Sequence, residues 1–271
     1  MRYRIPLPTL RPLSAGLFLL LVACGTTYTV PQVSSRNSQA ANAIFTEEQR
    51  SGSASLNPGQ PTQSDMARFR RVVARVEPVG EAFCRAEIGN SRTCDVTVTI
   101  DKDMAQPNAY QTYSGTRPII AFSRPMLAEV RNDDELAFIL GHEMGHHIAA
   151  HVDKQGQQAL AGALLGGIAV AALGGDPNDA MSGAMVGSMV GSHSYSQRYE
   201  LEADVVGTQI TRQAGYNPVT GARFFARPKP QQSSGQLSFW GTHPPDRQRL
   251  ATVLETVDEL DANGGQLNPA R

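Results

Sequence analysis

The chain has 271 residues, a formal net charge of −1 and 18% charged side chains. That length allows one good-sized domain with extensions, or at most two small ones, and a substantial core. The even charge balance offers no basic surface excess, so nucleic acid is not expected as a partner, and no acidic excess of the kind that marks a solvating tail.

At the N-terminus, Arg2, Arg4 and Arg11 precede the apolar run "LFLLLVA" (17–23), which is too short to span a bilayer and ends at Cys24. Residues 1–23 are read as a secretory signal peptide. "LVAC" (21–24) resembles the lipobox of bacterial lipoproteins, which implies cleavage before Cys24 and acylation of its thiol. The alternative is an ordinary cleaved leader with an incidental cysteine. The expected location is the bacterial cell envelope, facing the periplasm and held by lipid at the outer membrane. Export would place Cys84 and Cys94 in an oxidising compartment, where a disulfide between them is expected and two separate buried thiols are the alternative.

Residues 24–64 are rich in Ser, Gln, Asn, Thr and Gly and read as a flexible tether, with a weakly helical patch at 40–50 that docks or stays free. The folded domain is expected over 65–260, opening with a helix that spaces Met66, Phe69, Val72, Val73 and Val76 along one face. "CDVTVTID" (94–101) and "RPIIAFS" (117–123) read as strands on either side of a turn-rich stretch. Asn132, with Glu135 three residues on, forms a capping-box pattern for a helix carrying "LAFILGHEMGHHIAAHVDK" (136–154). Residues 159–192, dominated by Gly, Ala, Leu, Val and Met and split by "GGDPND" (174–179), read as a hairpin of small-residue helices packed on the domain; a membrane-dipping or plug element is the sharper alternative. A helix over 195–214 stopped at Gly215, a loop from Arg227, a last helix within 243–260 and a frayed tail over 261–271 complete the chain. The fold class is α+β, mainly α, with a small sheet.

His142, Glu143 and His146 form HExxH, which on a helix sets the two imidazoles about 40° apart, within reach of one ion, for which zinc is the natural choice. Glu143 is offset by about 100° yet long enough to reach a water at the ion's open position, the place of a general base. A third ligand at the spacing HExxHxxGxxH is missing, because Ala149 and Val152 occupy those positions. His151 would stand about 140° round a continuous helix from His146. A glutamate from a second helix is the other common solution, and "ELEAD" (200–204) supplies Glu200 as ligand. Asp204, one turn on, is placed to bond the outer nitrogen of a ligating histidine, while Glu202 points elsewhere. His147 and His151 are expected in structural or surface roles, and His193 at the loop surface or the lip of the site.

In this order, "PNAY", "LGHEMGHH", "SQRYELEADVVG" and "THPPDRQRL" resemble the zinc metallopeptidases related to HtpX, the Oma-type mitochondrial proteases and the CAAX prenyl proteases, over roughly residues 65–260. In layout the chain looks most like the family's short periplasmic lipoproteins. The resemblance implies a zincin-like (gluzincin) domain whose two ligand helices carry one Zn2+ on His142, His146 and Glu200, with Glu143 catalytic and Asp204 supporting a ligand. His243 and Arg249 match the family's late "HP…R" motif, so both are expected as catalytic residues: either stabilises the oxyanion, and the histidine alternatively caps the zinc in a latent state. The implied function is hydrolysis of unfolded or misassembled envelope proteins, an extended substrate adding as a strand at the edge formed by "RPIIAFS". The alternative is a chaperone-like lipoprotein using the same groove with its zinc capped.

Overall fold

The computed structural model describes residues 27–51, 59–193, 196–228 and 238–267. The signal peptide (1–23), Cys24 and the side chain of His193 lie outside the described residues. The segment expected to be a free tether over 24–64 is instead largely docked. Its helix α1 (Ser35–Ser51) lies against the last helix of the chain, where Asn37 donates to Glu255 and Asp258 at 2.8 and 2.7 Å and the Ser34 N–H donates to Glu255. Tyr28 and Ala41 join the core. The polar composition that suggested disorder is matched by carboxylates more than 200 residues further along the chain, a pairing no local pattern reports.

Helix α2 (Gln63–Ile88) starts two residues before the expected boundary, on a reciprocal box between Thr62 and Asp65. It buries Phe69, Val72 and Val76, three of the five residues expected on its inner face. A disulfide ties its last turn, at Cys84, to Cys94 at the entrance to the sheet, with Cα atoms 5.7 Å apart. Closing a loop of this size restricts the unfolded chain by about 3 kcal/mol. Cys94→Ser is therefore expected to lower unfolding free energy by about that much, measured by urea titration, and reductant should have no further effect on the variant.

Three strands follow: β1 (Thr97–Asp101), β2 (Ala109–Ser114) and β3 (Arg117–Ser123), in the order β1-β3-β2. β1 runs parallel to β3 and β2 antiparallel to it. β2 lies in the stretch read from sequence as turns, because Gln111, Thr112 and Tyr113 are polar and only Ala109 and Gln111 of its six residues are buried. The expectation that "RPIIAFS" offers a free edge is corrected: its continuous apolar run makes it the buried central strand, and β1 and β2 are the edges, β2 the one beside Glu143.

Helices α3 (Arg124–Glu129) and α4 (Asp133–Ile148) come next. In α4 every residue from Glu135 to Ile148 is buried, with α2, the sheet and two later helices around it. Asn132 caps it by accepting the Glu135 N–H at 2.9 Å, but the second half of the expected box is absent. Glu135 turns instead to the Arg131 N–H and to the fully buried guanidinium of Arg227. The helix expected to continue through 154 is broken. Ala150 adopts φ 58°, the left-handed region that costs a non-glycine residue about 1–2 kcal/mol, and a new helix α5 (His151–Ala172) leaves in another direction.

α5 pairs with α6 (Pro177–His193) as an antiparallel hairpin. Contrary to expectation it packs on the domain only at the base of α5, through His151 and Gln158: beyond that α5 and α6 touch chiefly each other, and Leu160, Leu164, Leu173, Met185 and Met189 stand exposed. α7 (Ser196–Gln213) crosses α4 and closes at Gly215 (φ 78°). α8 (Pro218–Ala222), a 3-10 turn (Arg223–Ala226), α9 (Phe239–Thr242) and α10 (Arg247–Ala262) finish the fold; α10 runs into the segment expected to be tail.

Candidate active site

The site lies where α4 and α7 cross, and the crossing is close because glycines face it. A Cβ on Gly145 would stand 2.8 Å from the Ala203 carbonyl oxygen, and one on Gly207 would stand 2.9 Å from the His142 backbone nitrogen. Gly207→Ala is therefore expected to push the helices apart at the ligand turn, weakening zinc retention against a chelator and lowering the melting temperature together. An unchanged chelator midpoint would show that the crossing does not set the ligand spacing.

This crossing brings His142, His146 and Glu200 together, and α9 delivers His243 to the same point, so that four donor atoms lie within 4.8 Å of one another. His142 Nε2 stands 3.0 Å from His146 Nε2 and 3.4 Å from Glu200 Oε2; His146 Nε2 is 3.3 Å from Glu200 Oε1. His243 Nδ1 is 3.2 Å from His142 Nε2 and 2.8 Å from Glu200 Oε2. Donors sharing a tetrahedral zinc at 2.0–2.2 Å stand roughly 3.3 Å from each other. Three imidazoles and one carboxylate at this spacing fit zinc in kind and in size.

Each ligand candidate is held from behind. His142 Nδ1 lies 2.9 Å from Asp204, as expected, and Asp204 also accepts two bonds from Arg249, Nε at 2.7 Å and Nη2 at 2.6 Å. Burial alone would raise the Asp204 carboxyl, but Arg249 outweighs it and holds the group below its usual range. Glu200, likewise buried, is kept well below the usual carboxylate range by His243, Arg249 and His146. Burial pushes His243 down to about 4, which leaves it a neutral imidazole at pH 7, fit to act as a donor. Arg249 Nη1 rests 3.3 Å from Glu200 Oε2. Nε and Nη2 of this guanidinium are thus committed to Asp204, while Nη1 is buried against Glu200.

His151 and Glu202 occupy the opposite side. The break at Ala150 swings His151 back so that its Nδ1 lies 2.8 Å from His146 Nδ1, while its Nε2 lies 2.9 Å from Glu202. Glu202 in turn accepts the backbone N–H groups of Thr27 and Tyr28. Sequence reasoning placed neither the arm nor His151 behind a ligand, because both contacts depend on the broken helix and the docked N-terminus. His147 sits away from the cluster, its Nε2 donating to the Thr93 carbonyl at 2.8 Å.

Glu143 completes the site. One carboxylate oxygen accepts the Gln111 N–H from the outer edge of β2; Oε1 is buried without a hydrogen-bond partner, 3.3 Å from His243 Nε2. Burial, opposed by the charge on His142 and reinforced by Glu200, pushes this carboxyl up to about 8, so it can take and return a proton near neutrality. A cleft of about 750 Å³ opens over Glu143, His146 and Glu200, with Tyr110 and Gln111 on one wall and Val152, Gln155 and Pro244 on others.

A mainly helical domain with a small sheet, in which an HExxH helix meets a glutamate from a second helix, is a zincin-like metallopeptidase domain in its architecture. Residues 68–257 match peptidase family M48, and the chain belongs to that family. It is 30% identical over 140 residues to the metalloprotease LoiP of Escherichia coli (strain K12), covering 51% of this chain and 54% of that protein. It is 26% identical over 170 residues to the mitochondrial metalloendopeptidase OMA1 of Saccharomyces cerevisiae, covering 60% of this chain and 47% of the relative. The chain thus spans about half the length of these relatives. No solved structure matches it.

Proposed function

We propose that this chain is a zinc-dependent endopeptidase that cleaves unfolded or misassembled envelope proteins, exported and held by acylated Cys24 on the periplasmic face of the bacterial outer membrane. The observation that carries the reading is Glu143, which lines the cleft beside the four donor atoms and whose Oε1 is buried without a hydrogen-bond partner. His142, His146 and Glu200 hold one zinc. Zinc at such a site supplies Lewis acidity, lowering the pKa of water from 15.7 to about 7 and polarising a carbonyl. Glu143 takes the proton of the attacking water and passes it to the leaving amine. Asp204 and Arg249 act through His142 and Glu200 as positioning residues. An extended substrate adds beside β2, where Gln111 already turns its N–H to Glu143, and backbone pairing of this kind brings little sequence preference.

His243 supports a resting state in which it is a fourth donor, since its Nδ1 stands among the ligand atoms. His243→Ala is accordingly expected to raise casein hydrolysis at unchanged zinc content. A loss would assign His243 to the developing oxyanion instead. The test of the whole reading is zinc content and casein hydrolysis of the full chain. One zinc per chain with hydrolysis supports the peptidase; zinc without hydrolysis in the parent and in His243→Ala would favour a chaperone-like binding protein.

A further inference from the structure

We propose that the outward face of the α5–α6 hairpin lies in the interfacial layer of a lipid bilayer. The hairpin is built inside out for water. Its two helices meet through glycine: a Cβ on Gly166 would stand 2.1 Å from the Gly183 carbonyl oxygen, and one on Gly187 2.0 Å from that of Gly162. The large apolar side chains point the other way, with Leu164 60%, Ile168 56%, Met185 69% and Met189 65% exposed. A helix pair solvated by water buries its largest side chains between the helices, whereas helices solvated by acyl chains pack through small residues and turn large ones outward. An exposed apolar patch of this extent marks an interaction surface.

Charge narrows the occupant. The sequence has no Asp, Glu, Lys or Arg from 155 to 175 or from 180 to 193. A protein partner's interface carries a polar rim, and between its base and its tip the hairpin offers no charged side chain to meet one. Of the hairpin's three acids, Asp153 stands beside Lys154 at the base of α5, and Asp176 and Asp179 sit at the tip, where Asp176 accepts the N–H groups of Asn178 and Asp179 at 2.7 and 3.0 Å. The chain end points the same way. Lys154, at the base of α5, donates to Thr27 at 2.9 Å. Cys24 precedes Thr27 by three residues, a reach of about 10 Å, so acyl chains on Cys24 would enter the bilayer beside the hairpin.

No described helix is long and apolar enough to cross a membrane, so the contact is interfacial. Because Val152 and Gln155 of the same helix line the cleft, the site opens next to the membrane surface. The position of the bilayer rests on the proposed acylation of Cys24; the apolar face does not, and neither depends on peptidase activity.

The experiment uses the full chain, processed and acylated, with Leu164→Trp or Met185→Trp. It is mixed with vesicles of phosphatidylethanolamine and phosphatidylglycerol whose acyl chains are brominated near the head group. The native Trp240 is buried, 1% exposed, and serves as the internal reference for folding. Contact predicts loss and blue shift of the introduced emission on brominated vesicles, with Trp240 in the parent unaffected. Flotation of the chain with the vesicles without quenching would overturn the hairpin contact and leave the anchor standing. No flotation would overturn both. Quenching absent with sedimentation as a dimer would identify a second copy as the occupant, and the proposal would fail.

Discussion

Glu143→Gln is expected to lower casein hydrolysis by at least about 10²–10⁴-fold, the range a single general acid–base group contributes, while zinc content stays at the parent value. The substitution keeps the shape of the side chain, and the amide oxygen can still accept the Gln111 N–H. It removes only the ability to carry a proton. Stability should not fall with activity. A carboxyl whose folded pKa is raised to about 8 from an ordinary 4.5 disfavours the folded state as pH rises above the lower value, because the unfolded chain ionises first. A neutral amide is free of that penalty, so without zinc the variant's melting temperature should match or exceed the parent's between pH 5 and pH 8. Hydrolysis within threefold of the parent would remove Glu143 from the reaction; loss of zinc along with hydrolysis would make the effect one of binding.

Arg249→Leu should have the largest effect on stability. Asp204 is wholly buried, and its two bonds to the guanidinium offset the cost of keeping it ionised. Removing one partner of a buried ion pair costs about 3–5 kcal/mol, which for a domain of this size lowers the melting temperature by roughly 10 °C. Zinc retention against a chelator should weaken about 10–100-fold, because the carboxylate that orients His142 is no longer fixed. Arg249→Lys keeps the charge without the planar fork and is expected to recover part of the stability but little of the zinc retention. A melting temperature within about 2 °C of the parent for Arg249→Leu would show that Asp204 is neutral or paired elsewhere.

The local parts of the site are legible in the order of residues alone. His142 and His146 are one helical turn apart, so any helix at that point aims both the same way, and Glu200 and Asp204 repeat the relation on a second helix. Two strands, the end of α7 at Gly215 and the Asn132 cap also follow from neighbours along the chain.

Every feature set locally along the chain is therefore written in the residues: the candidate ligands His142 and His146 with Glu143 between them, Glu200 with Asp204 one turn on, the cysteine pair as a candidate and the small-residue hairpin. The rest was settled by packing. It placed β3 in the centre of the sheet and β2 at the edge, because strand order depends on which partners lie within hydrogen-bond reach. The left-handed turn at Ala150, held against its local cost by the packing on both sides, brought His151 behind His146. Contacts to α10 and Glu202 docked an arm whose composition promised a free tether, and α9 brought His243, 43 residues from Glu200, into the donor set. These arrangements arise from contacts between residues far apart along the chain, whose free energies combine only when the whole domain closes, and local spacing carries no record of them.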